Sequence, residues 1–91
     1  MQDYNEFPPL RYFLRVLKSC PKSALLYLQL WKNKGKHMNF EAKKKDIRKE
    51  YLISPTMFRN CLSPLVFLNL VTFLECDDKY KIDILGSQLN D

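Results

Sequence analysis

Lys43-Lys44-Lys45, with Arg48 and Lys49 three to six residues further on, is the densest run of charge-bearing side chains in the sequence. Thr56, Met57, Arg59, Asn60 and Ser63 follow it. Cations at this density attract a polyanion, nucleic acid above all, by releasing its condensed counterions. The residues after them are of the types that read base edges. Arg59 can donate two hydrogen bonds to guanine, Asn60 can pair twice with adenine, and Thr56 or Met57 can touch a thymine methyl. Lys34 and Lys36, just upstream, belong to the same field and would neutralise phosphates.

The distribution of charge says more than its total of +5. Residues 11–50 hold twelve Lys/Arg against Glu41, Asp46 and Glu50, which gives +9; residues 1–10 and 51–91 carry −2 each. The basic field is confined to the first half. A solvated, soluble surface is the plainer account of such lysines, and Asn60 and Ser63 would then be ordinary solvated helix residues.

Other chemistries find little support. His37 is the only histidine and lies in a Lys/Gly-rich connector, so no nucleophile-base pair can be assembled around it, and no Gly-rich phosphate loop is present. The sequence therefore does not read as an enzyme, and no cofactor is implied. Cys20, Cys61 and Cys76 are widely spaced, without a CxxC pair, which argues against zinc. An odd count among apolar neighbours suits buried free thiols in a reducing, cytoplasmic compartment. No apolar run reaches the ~20 residues that span a bilayer.

The elements that must position the cations follow from the spacing. At 91 residues and 46% hydrophobic content, one domain around one core is expected. Pro8 and Pro9 open a helix over 8–19, with Leu10, Phe13, Leu14 and Leu17 as its covering face. Ala24 to Trp31 is almost wholly apolar and reads as a helix buried on nearly all sides. His37 to Phe40 reads as a short strand. Glu41 to Tyr51 reads as a helix with Phe40, Ile47 and Tyr51 on one side and Lys45, Arg48 and Lys49 on the other. Ser54 caps the next helix and Pro55 opens it, so it starts at 55.

Along that helix Phe58, Cys61, Leu62, Leu65, Val66 and Asn69 form one side; Thr56, Asn60, Ser63 and Phe67 lie opposite, flanked by Met57, Arg59 and Pro64. Pro64 should kink or end the helix. Asn69 suits a left-handed helix end, and two alternating runs, 70–76 and 79–84, joined by Asp77-Asp78, make a hairpin. Residues 86–91 read as a polar tail.

The run Asp46 to Val71, DIRKEYLISPTMFRNCLSPLVFLNLV, resembles the core of winged helix-turn-helix proteins such as bacterial transcription regulators and the amino-terminal domains of replication initiators. Ile47 and Tyr51 resemble that family's inward-packing helix residues, Ile53-Ser54 its apolar-then-cap pair, and Leu62, Leu65 and Leu68 its buried recognition-helix leucines. The resemblance covers residues 22–85. It implies a mainly α fold with a small β-hairpin, a winged helix-turn-helix with an extra N-terminal helix.

By that resemblance the chain would bind double-stranded DNA, as a dimer, in transcription regulation or replication. Helix 55–68 would read the duplex and the basic helix 41–51 would hold phosphates. Three departures matter. The outward face of helix 55–68 has only one charge, Arg59, and includes the apolar Met57 and Phe67. Leu52 stands where glycine is common, so this turn takes another geometry or accepts strain. The hairpin is acidic, and its tip would repel phosphate. An alternative follows: a winged-helix adaptor that docks a protein partner through Met57, Pro64 and Phe67, without DNA binding.

Overall fold

The computed structural model describes residues 7–34 and 37–85. Among these residues four helices and three strands run in the order α1 (Leu10–Ser19), α2 (Pro21–Asn33), β1 (Asn39–Lys43), α3 (Lys44–Tyr51), α4 (Pro55–Phe67), β2 (Val71–Glu75) and β3 (Lys79–Ile84). The fold is mainly α with a small antiparallel sheet of order β1-β3-β2. Val16, Tyr27, Leu30, Ile47, Phe58, Leu62, Leu65, Val71 and Ile82, each at most 1% exposed, bring all the helices and two strands of the sheet onto one core.

Strand β1 begins at Asn39, not at His37, and claims residues assigned above to a helix. Glu41, Ala42 and Lys43 pair with Lys81, Tyr80 and Lys79 of β3. Ala42 is buried, and the Lys79 ammonium meets the Glu41 carboxylate at 3.1 Å. Sheet pairing overrides the local helical pattern here, so α3 is only Lys44–Tyr51, with Lys43 at its N-cap. The hairpin follows its alternation. Tyr80, Ile82 and Ile84 face the core, and Cys76 donates its N–H to the Lys79 carbonyl around Asp77-Asp78.

Helix α1 turns a different face inward from the one expected. Val16 is buried and Tyr12 and Phe13 pack against the core, while Leu10, Leu14 and Leu17 are exposed. The apolar stripe is wider than one packing face, and α2 takes only the Tyr12–Phe13–Val16 side. Helix α2 is likewise not enclosed all round: Leu26, Tyr27, Leu30 and Trp31 are buried, but Leu25 is 64% exposed.

Among the described residues two take positive φ without being glycine, Leu52 at 62° and Asn69 at 63°. Asn69 ends α4 as expected: its N–H bonds Val66 O and the Leu70 N–H bonds Leu65 O, so two otherwise orphaned carbonyls are satisfied. Leu52 ends α3 in the left-handed region and accepts the strain anticipated for this turn. Pro64 does not stop α4, which continues to Phe67; the ring lacks one N–H, and Leu68 still donates to the Pro64 carbonyl. Leu62 and Leu65 are buried as expected, whereas Val66 and Leu68 are only partly covered and Asn69 is exposed.

Cys61 is buried, while Cys20 and Cys76 are half-buried rather than core-filling, and all three are free thiols. No described helix is long and apolar enough to cross a membrane.

Candidate nucleic-acid interface

Ser54 accepts a hydrogen bond from the Met57 N–H at 3.1 Å, and Pro55 fills the first helical position, so α4 starts where the cap signal put it. Burial of Phe58, Cys61, Leu62 and Leu65 leaves Thr56, Arg59, Asn60, Ser63 and Phe67 exposed. Helix α3 divides in the same way. Ile47 and Tyr51 are buried against the core, Phe58 stacking edge-on to Tyr51 at 4.9 Å, and Lys45, Arg48 and Lys49 face solvent. Lys43, at the β1–α3 junction, is exposed too.

The two halves of this surface meet at a residue that sequence reasoning counted only among the hairpin's acids, without its partners. Glu75, the last residue of β2, binds the Lys44 ammonium at 2.7 Å and the Arg59 guanidinium at 3.5 Å. The hydrogen bond from Lys44 holds the Glu75 carboxyl below the usual carboxylate range and raises the Lys44 ammonium in turn. The Lys44 Nζ also lies 5.3 Å from the centre of the Tyr80 ring. One carboxylate thus ties the start of α3, the exposed side of α4 and the hairpin together. The only signal in the sequence was an acid at the end of an alternating run, which does not reveal partners 31 and 16 residues away.

The hairpin tip also approaches the lysines. The Lys44 N–H donates to the Asp78 carbonyl at 2.8 Å, and Lys43, Lys44, Lys45 and Asp78 line a small depression. The acidic turn therefore sits beside the cations and offsets part of their field.

The remaining expected contacts divide. Lys43, Lys45, Arg48 and Lys49 are exposed and form no ion pair among the described residues. Lys34 corrects the expectation of a phosphate contact. It is 5% exposed, its ammonium lies 4.6 Å from the centre of the Trp31 ring, and burial lowers its pKa. Lys36 lies outside the described residues, as does the proposed tail 86–91. Met57 is a second correction: it packs against the core and faces the α2 side with Ile53 and Cys61, because Phe58 and Leu62 fix the rotation of α4. Phe67 is 84% exposed and Pro64 is partly covered.

Among the described residues no group of His, Cys, Asp or Glu could hold a metal ion. Comparison with protein-family models, curated proteins and solved structures finds no match for this chain.

Proposed function

We propose that this domain is a winged helix-turn-helix that binds duplex DNA, with Lys43, Lys45, Arg48 and Lys49 on phosphates and Thr56, Arg59, Asn60 and Ser63 toward base edges. The observation that carries the reading is the solvent-facing Lys45–Arg48–Lys49 face of α3, unpaired among the described residues, on the helix that precedes the Ser54-capped, polar-faced α4. The order α2-β1-α3-α4-β2-β3 and the sheet order β1-β3-β2 support the winged architecture. Helix α1 is the addition in front of it.

In this reading Glu75 is a brake on the interface. It occupies Lys44 and shares Arg59, so the base-reading guanidinium exchanges a carboxylate for guanine when DNA arrives. A single module of this size contacts few base pairs, and a dimer on two half-sites is the form that would read sequence in transcription control or replication. Fluorescence anisotropy with a labelled duplex over a salt series tests the reading. Binding that falls steeply with salt and is lost on Lys43→Glu plus Lys45→Glu supports it; no binding at low salt, or no effect of the pair, refutes it.

The exposure of Phe67 favours a second reading, an adaptor that docks protein through the end of α4, with Pro64 beside it. An aromatic ring left 84% in water at a helix end is an interface anchor in waiting. Retention of a protein partner that Phe67→Ser abolishes, together with duplex binding no better than that of a charge-matched control, would select it.

A further inference from the structure

A trough of about 690 Å³ runs between α2 and the α3–α4 turn, lined by none of the residues that the proposed function assigns to DNA. Leu25, Leu26 and Leu28 of α2 form one wall; Leu52 and Ile53 of the turn and Met57 of α4 form the other. Lys22 and Lys32, both exposed, stand at its rim. Leu25 and Leu52 are 64% and 79% exposed, so the lips as well as the floor are apolar.

Leu52 is the informative residue. Its φ of 62° is a conformation that Cβ disfavours, and at 79% exposure it gives little back to its own core. The other non-glycine residue at positive φ is Asn69, a type that tolerates this region, at a position where only helix termination is needed. Folding alone would favour glycine or asparagine at 52 as well. A leucine held there under strain on the lip of an apolar trough is accounted for by contact with something outside the chain.

The charge around the trough says what that is. Among the described residues that line it, Lys22 and Lys32 carry the only charges, and both are positive. A second copy docked trough to trough would set Lys22 and Lys32 against like charges. A bilayer would cover the exposed lips and leave the floor between Leu26 and Met57 unfilled, and a duplex offers no side chains to fill it. We propose that the trough seats an acidic amphipathic helix of a partner protein, its leucines between Leu25 and Leu52 and its carboxylates toward Lys22 and Lys32. The proposal is independent of the DNA reading, because it uses none of the residues assigned there to DNA.

The probe is a fluorescein-labelled peptide with leucines at i, i+3, i+4 and i+7 and glutamates elsewhere, titrated with the whole chain by anisotropy. Its control carries serines for the leucines. The leucine peptide should bind roughly tenfold tighter than the control, as burial of several apolar anchors requires. Leu52→Gly and Leu25→Ser should each weaken it about fivefold, and Lys22→Ala plus Lys32→Ala should do so at low salt. Thermal unfolding verifies that each variant is folded, and duplex affinity should be unchanged by Leu52→Gly.

Equal affinity for both peptides overturns the proposal, as does indifference to both leucine substitutions. Displacement of the peptide by phosphatidylserine vesicles overturns it in favour of a membrane surface. A homodimer dissolved by Leu52→Gly overturns it in favour of a second copy.

Discussion

Leu52→Gly and Leu52→Ala, made side by side, isolate the strain at the α3–α4 turn. Both remove the same side-chain contacts, and little is lost in either because the residue is 79% exposed. They differ in the Cβ atom. Alanine keeps the clash that a φ of 62° imposes, about 1–2 kcal/mol, and glycine escapes it. Glycine in turn gives the unfolded chain more freedom, which costs about 0.5–1 kcal/mol relative to alanine. The difference leaves glycine ahead by about 0–1.5 kcal/mol, centred on about 0.75 kcal/mol. In a domain of this size the central value is a melting temperature higher by roughly 3–6 °C. At an ordinary exposed helix position the order is reversed, with alanine ahead by about 1 kcal/mol. Differential scanning calorimetry of the two variants reads the sign directly. Alanine melting at or above glycine would refute the strain, and with it the reason for treating Leu52 as placed for contact.

Further outcomes follow from the same geometry. Leu62→Ala should cost about 2–5 kcal/mol in urea unfolding, because the residue is fully buried, while Lys45→Ala on the exposed face should change stability by less than about 0.5 kcal/mol. Glu75→Gln should raise duplex affinity roughly threefold or more at low salt by freeing Lys44 and Arg59, and anisotropy would record it. The Glu75 carboxyl is depressed by its hydrogen bond from Lys44, so its contribution to stability is present above the ordinary carboxylate value and is lost as pH falls through the lower folded value; in acid denaturation Glu75→Gln should narrow that loss. Burial pushes the Tyr27 hydroxyl up to about 12, so its contribution is full below 10 and lost as pH climbs through about 12. Tyr27→Phe should weaken that alkaline loss of stability in a melting series from pH 9 to 12.

Local signals were legible where they act locally. The Ser54-Pro55 pair starts α4, Asn69 ends it, and Asp77-Asp78 turns the hairpin, because each works through backbone groups a few residues away. The rotation of α3 was legible for the same reason: Ile47 and Tyr51 pack and Lys45, Arg48 and Lys49 do not. Residues 41–43 were misread because their pairing partner, β3, lies about 40 residues on, and helical spacing cannot compete with a completed ladder. On α1 the apolar positions outnumber those one neighbouring helix can cover, so pattern alone could not choose Val16 over the leucines.

The candidate surface divides along the same line. The exposed cations of α3 and polar residues of α4 were found by counting faces. The Glu75 link, the burial of Lys34 on Trp31 and the turning of Met57 toward α2 all depend on contacts between distant elements, or on the one rotation of α4 that the core allows. The trough was hidden for a further reason. Its wall on α2 looked like a helix to be covered completely, whereas the fold leaves Leu25 bare.

The central claim is that Lys45, Arg48 and Lys49 meet a phosphate backbone. Its most direct measurement is the slope of log affinity for a labelled duplex against log salt, compared between the wild type and Lys45→Ala/Arg48→Ala/Lys49→Ala. Loss of three phosphate contacts should flatten the slope by about 3 and weaken binding uniformly across duplex sequences. An unchanged slope in a variant that still melts as the wild type does would contradict the claim.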